Sequence, residues 1–116
     1  METNEELIKR AIKEGHEIAH KIQSAKTISE IDRLSDEVEK YCDFVNENFG
    51  VLNDYDEKDC EISVFLNVAF DWKRTSLQPE NIGNPATENL YEEFMRQYLD
   101  FLDSKVWIKE SYGIKL

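Results

Sequence analysis

The chain has 116 residues, 41% apolar and 11% aromatic, with 25 acids against 14 bases and a formal charge of −11. That length suits one domain around one core, and the apolar content excludes a disordered tail. The charge disfavours direct binding to DNA, RNA or an anionic membrane, whose phosphates would be repelled, and favours a basic partner.

The sequence holds no basic-then-apolar amino terminus, no long uncharged apolar run and no lipidation signature. A soluble cytoplasmic protein is therefore expected. Cys42 and Cys60 fit neither a disulfide framework nor a metal-ligand pair by spacing, so both are expected as free thiols.

Thr3-Asn4-Glu5-Glu6 has the form of a capping box. Leu7, Ile8, Ala11, Ile12, Ile18, Ala19 and Ile22 follow at helical spacing, which predicts a first helix over about residues 4–25. Gly15 lies on its apolar side, where it permits close approach of another backbone. Thr27-Ile28-Ser29-Glu30 is a second capping box, so a short link near Lys26 should fold the chain into an antiparallel helical hairpin.

The second helix is expected to run to about Phe49, with Gly50 as its stop. Ile31, Leu34, Val38, Tyr41 and Val45 alternate three and four apart, the period of a seam packed on a neighbour. Residues 30–61 carry twelve acids and three bases, a balance of −9, while residues 1–29 are neutral and residues 62–116 stand at −2. On a helical wheel of about 100° per residue, Asp32, Asp36, Glu39, Asp43 and Glu47 fall opposite the seam. At about 1.5 Å per residue they would span roughly 22 Å. Asn53 to Asp59 reads as a polar, acidic loop.

Residues 60–75 carry two patterns. Ile62, Val64, Leu66, Val68, Phe70 and Trp72 alternate as in a strand, whereas Ser63, Asn67, Asp71 and Arg74 form a polar stripe on an otherwise buried helix. Phe65 would sit on the polar face of a strand, and the acids before Ile62 with Lys73-Arg74 at the far end complement a helix dipole. Helix is the expectation. Ser76–Asn84 reads as a loop, and Asn84-Pro85 opens a last helix with Leu90, Tyr91, Phe94, Met95, Tyr98, Phe101 and Leu102 on its apolar face. That helix either continues to Tyr112 with Gly113 as stop, or ends near Ser104 with Lys105–Lys109 and Tyr112–Leu116 as a small hairpin. The expected fold is a mainly α, single-domain bundle of about four helices over residues 1–116. The alternative is α+β, with residues 62–72 and the C-terminal tail as strands.

Both histidines lie in His16-Glu17-Ile18-Ala19-His20, which matches the H-E-x-x-H zinc signature. Glu39 follows His20 after eighteen intervening residues, and with it the chain resembles the gluzincin metallopeptidases. The resemblance implies His16, His20 and Glu39 as zinc ligands, Glu17 as general base, and peptide hydrolysis. By their own positions, His16 and His20 lie roughly 110° and 150° from the centre of the apolar face, and Glu39 points away from the second seam. Helices paired through their seams would make these ligands diverge. No Gly-rich phosphate loop precedes a helix, and no cofactor is expected. Trp72, Lys73 and Arg74 form a small basic-aromatic cluster that reads as a helix end.

The leading expectation is a non-enzymatic protein that presents its carboxylate-rich helix to a basic surface of a nucleic-acid-binding protein or nuclease. Asp32, Asp36, Glu39, Asp43 and Glu47 would carry the contact, with Asp54, Asp56, Glu57 and Asp59 extending the field. Nucleic-acid mimics that inhibit nucleases, restriction systems or CRISPR effectors, and immunity proteins, share this charge and size, by analogy alone. A structural, oligomeric module is the other class, assembled through the aromatic last helix (Tyr91, Phe94, Tyr98, Phe101, Trp107).

Overall fold

Side-chain caps start three helices where the sequence places them. In the computed structural model, which describes residues 2–109, α1 spans Asn4–Ser24 and its cap Thr3 accepts a hydrogen bond from the Glu6 N–H. The Thr27 hydroxyl oxygen accepts from the Glu30 N–H to open α2 (Ile28–Arg33), while the Glu30 carboxylate reaches back to the Lys26 N–H. Next come α3 (Ser35–Phe49), the strands β1 (Val51–Leu52) and β2 (Lys58–Asp59), and α4 (Glu61–Ser76). A 3₁₀ turn at Pro79–Asn81 leads to α5 (Pro85–Ser104), where Asn84 accepts from the Ala86 N–H, and α6 (Val106–Lys109) closes the described chain.

Cross-contacts fix how the four long helices run. Ala11 meets Tyr41 and Lys21 meets Glu37, so α1 and α3 are antiparallel, as the predicted helical hairpin requires. Asn46 meets Ser63, while Val38 and Phe70 share a groove, so α3 and α4 are antiparallel. Phe65 lies on Phe101 and Trp72 stacks on Phe94, so α5 reverses again. Gly15 meets Tyr98, which closes the ring of helices from α5 back to α1. The result is a mainly helical, up-down-up-down bundle. Residues 62–72 are helical, so the strand alternative fails there.

The core sits where the seams converge: Ile22, Ile31, Val45, Ile62, Leu66, Tyr98 and Leu102 are fully enclosed. Two rigid hydroxyls enter it. Tyr41 donates to the Ala11 carbonyl at 2.6 Å and Tyr98 donates to the Gly15 carbonyl at 2.9 Å, one turn further along α1. Gly15 makes room for both, because a Cβ there would stand 2.5 Å from the Tyr41 oxygen, 2.7 Å from Leu102 Cδ2 and 3.0 Å from the Tyr98 oxygen. The close approach permitted by this glycine is that of side chains rather than of another backbone.

Three expectations change. The single second helix is broken at Leu34, whose N–H bonds to the Ile31 carbonyl in a tight turn before Val38 N–H takes the Leu34 carbonyl. Asn53–Asp59 is not a featureless loop, because Val51 pairs with Asp59 and Leu52 with Lys58. The last helix ends at Ser104, and Lys105 adopts a left-handed conformation (φ 61°) that turns the chain inward. Trp107 and Ile108 are thereby buried in helical α6, not in a strand. Trp107 donates to the Leu102 carbonyl and stands edge-on to Phe49, with ring centres 4.8 Å apart. The predicted stop at Gly113 and the strand Tyr112–Leu116 lie outside the described residues.

Gly15→Ala tests the tyrosine packing. On an open helix the change would gain about 1 kcal/mol of helix propensity. Here the overpacking cost, about 1–3 kcal/mol, should reverse the sign and lower the melting temperature.

Burial holds the Tyr41 and Tyr98 hydroxyls well above the usual tyrosine range and pushes the Cys42 thiol up to about 12. In the unfolded chain these groups lose protons from about pH 8.5–10. Their protonated forms are what the fold accommodates, so stability is full below that range and falls as pH rises towards about 12. Thermal melts across neutral to alkaline pH should be flat at first and then decline. A flat curve throughout would refute the account.

Candidate functional site: an anionic face

The seam of α2 and α3 faces inward, with Ile31, Val38, Tyr41 and Val45 buried and Leu34 half-buried, so the opposite side must face water. Asp32, Asp36, Glu39, Asp43 and Glu47 are all exposed. Asp32 belongs to α2, before the Leu34 turn, so the five carboxylates do not share one straight helix. It bonds to Arg74 of α4 at 2.8 Å. The other four form no ion pair among the described residues.

Glu39 and Asp43 line a groove of about 390 Å³ between α3 and α4, together with Asn46, Asn67 and Asp71. Asp71 is the addition that the sequence reading missed. It was visible only as a member of the polar stripe Ser63, Asn67, Asp71 and Arg74, and the side of α4 that meets α3 is a tertiary fact.

Asp54, Asp56, Glu57 and Asp59 are exposed on the hairpin that follows. Its turn is organised by Asn53, whose side-chain oxygen accepts from the Tyr55 and Glu57 N–H groups, and Asp56 takes a left-handed conformation (φ 59°). Leu52 (65% exposed) and Tyr55 (84% exposed) stand among these acids, which places apolar surface on the same projection. The hairpin is anchored at its base. Asn46 Oδ1 accepts from the Cys60 N–H and the Ser63 hydroxyl, both at 2.8 Å, which supplies from α3 the cap that Cys60 does not give α4. Gly50 allows this closeness, since a Cβ there would meet the Asn46 carbonyl and the Asp59 amide.

Charge elsewhere is handled differently. On α1, Glu5, Glu14 and Glu17 face Lys9, Arg10 and Lys13 one turn away. On α5, Arg96 lies between Glu93 and Asp100. On α3, Glu37 pairs with Lys21 of α1 and Lys40 is exposed one turn from Asp36, while Asp36, Glu39, Asp43 and Glu47 form no ion pair among the described residues.

His16, Glu17 and His20 are exposed on α1. His16 Nε2 reaches Asp103 of α5 at 2.6 Å and so bridges two helices. Glu39 is on the outer face of α3, and among the described residues no three His, Cys, Asp or Glu side chains converge as a metal site. The aromatic side chains expected on the last helix are largely absorbed by the core: Tyr91 and Tyr98 of α5 and Trp107 of α6 are buried, while Phe94 and Phe101 are half-buried against Trp72 and Phe65. The cluster Trp72-Lys73-Arg74 is divided among three partners, with Trp72 on Phe94, Lys73 over the Tyr91 ring and Arg74 on Asp32. Cys42 and Cys60 are buried and form no disulfide among the described residues, and no helix among them is long and apolar enough to cross a membrane. Comparison with family models, curated proteins and solved structures gave no match to the chain.

Asn46→Ala should cost about 1–3 kcal/mol, because it removes the side-chain acceptor of the Cys60 N–H, whereas the Ser63 hydroxyl keeps the Cys60 carbonyl at 2.7 Å. Amide exchange should rise first across residues 50–60, with α1 and α5 little changed. Uniform loss of protection would contradict a local anchoring role.

Proposed function

We propose that the chain is a non-enzymatic binding protein that presents this anionic face to a basic surface of a partner, of the kind nucleases and other nucleic-acid-binding proteins carry. It would act in the cytoplasm as an inhibitor, its carboxylates standing where phosphates would lie. The observation that carries this reading is the asymmetry of charge. On α1, Glu5, Glu14 and Glu17 face bases one turn away, whereas Asp36, Glu39, Asp43 and Glu47 have no ion pair among the described residues. Like charges a turn apart cost a few tenths of a kcal/mol per pair, so this face opposes helix stability rather than serving it. A predominantly negative field of this sort steers a basic partner and raises its association rate about 10–10³-fold.

Asp54, Asp56, Glu57 and Asp59 extend the field along the hairpin, and Asp32 is partly screened by Arg74. The test compares the wild type with Glu39→Lys/Asp43→Lys/Glu47→Lys as baits in host lysate at low and moderate salt, with bound proteins identified by mass spectrometry. The wild type should retain a basic protein that salt releases, and the variant should lose it or associate with it at least about tenfold more slowly while its circular dichroism is unchanged. Equal capture and equal rates for both baits would sink the proposal.

A further inference from the structure

The acidic hairpin carries apolar side chains that the bundle does not use. Val51, Leu52 and Tyr55 all face water within five residues, and Tyr55 is the most exposed large apolar side chain among the described residues. One such side chain would need no explanation, whereas a group of them marks a contact surface. The turn that carries Tyr55 is already in shape. The Asn53 N–H donates to the Glu57 carbonyl at 2.9 Å, and the Asp56 N–H donates to the Asn53 carbonyl at 3.1 Å. Below it, Val51 pairs with Asp59 and Leu52 with Lys58, and Asn46 of α3 holds the Cys60 N–H at the base. A tyrosine on a preformed turn offers a large amphipathic ring at little ordering cost.

We infer that Tyr55, with Leu52 on the same projection, is the apolar anchor of the interface, and that it enters an apolar cleft rimmed by lysine or arginine on the basic protein partner. This deepens the reading of the anionic face and rests on it. Charge sets the chemistry of the rim. Asp54 and Asp56 flank Tyr55 in the chain, Glu57 follows, and all three are exposed. A cleft that encloses the ring brings its rim up to these carboxylates, so an acidic rim would repel them and an apolar one would strip their water. Stacking of a nucleotide on the ring and insertion into an anionic membrane are disfavoured for a related reason, because each brings phosphates onto the acids. The two kinds of group act on different rates. Exposed acids govern approach and hence association, whereas a buried aromatic anchor governs dissociation.

The probe is the basic protein that the wild-type bait retains from host lysate, purified and immobilised for rate measurements. Tyr55→Ala should speed dissociation at least about tenfold and leave association within about twofold. Its melting temperature should match the wild type, because the Tyr55 side chain is exposed in the free chain. Glu39→Lys/Asp43→Lys/Glu47→Lys should instead slow association, an effect that moderate salt diminishes and that of Tyr55→Ala survives. Benzoylphenylalanine placed at position 55 should crosslink to a partner segment that combines apolar residues with lysine or arginine. Unchanged dissociation for Tyr55→Ala, or a crosslink to a segment without bases, would overturn the anchor and leave the anionic face standing. Fast dissociation for Tyr55→Ala with wild-type rates for the charge variant would support the anchor and refute the α3 face. Retention of no basic protein would overturn both.

Discussion

Two tyrosine hydroxyls hold the bundle in register. Tyr41 comes from α3 and Tyr98 from α5, and both donate to carbonyls on successive turns of α1, at Ala11 and Gly15. Each hydroxyl is carried deep into apolar surroundings by its ring, and each would be costly there without an acceptor. Backbone carbonyls already engaged in a helix keep a spare lone pair for such a donor. Because the rings are rigid, the contacts set both the rotation of α1 and its height against two neighbours. Gly15 is the residue on which this depends, and its missing side chain is a feature of the packing rather than a weakness of the helix.

Fixing α1 in this way decides what faces water. With Ile18, Ala19 and Ile22 turned inward, the Glu–Lys and Glu–Arg pairs of α1 lie outside, where they largely cancel. With Tyr41 and Val45 turned inward, the outer side of α3 carries Asp36, Glu39, Asp43 and Glu47 against the single base Lys40. The same packing logic thus produces a balanced surface on one helix and a predominantly acidic surface on the next. That difference lies in the sequence, and the fold gives it direction. Exposed ion pairs contribute little to stability, so the contrast bears on what the surfaces attract more than on how firmly the bundle holds.

Much of the architecture was legible because it rests on local chemistry. Thr3, Thr27 and Asn84-Pro85 mark helix starts through hydrogen bonds made within a few residues, and Phe65 together with the acids before Ile62 and Lys73-Arg74 at the far end identified α4 despite an alternating pattern. The turn at Leu34 was not legible, because it interrupts the helix without changing the apolar period: Ile31, Leu34 and Val38 keep their spacing through it. The hairpin at residues 51–59 was missed since two paired residues per strand leave no periodicity to detect. His16-Glu17-Ile18-Ala19-His20 has the spacing of a ligand motif, but spacing along one helix says nothing of a third group, and the neighbour that His16 meets is Asp103 from the far end of the chain. Asp71 and the Lys73–Tyr91 pair depend on which helices lie side by side, which no single segment encodes.

The left-handed residue Lys105 has a consequence for observation. By folding α6 back, it sets the Trp107 indole edge-on against Phe49, the last residue before Gly50 and the acidic hairpin. The indole N–H is held by the Leu102 carbonyl, so the ring is fixed in a dry, well-defined setting. Trp72, by contrast, is half-buried on Phe94 in the α4–α5 layer. The molecule therefore carries an intrinsic optical gauge at the root of the acidic hairpin: the emission of Trp107 depends on how closely Phe49 stays packed against it.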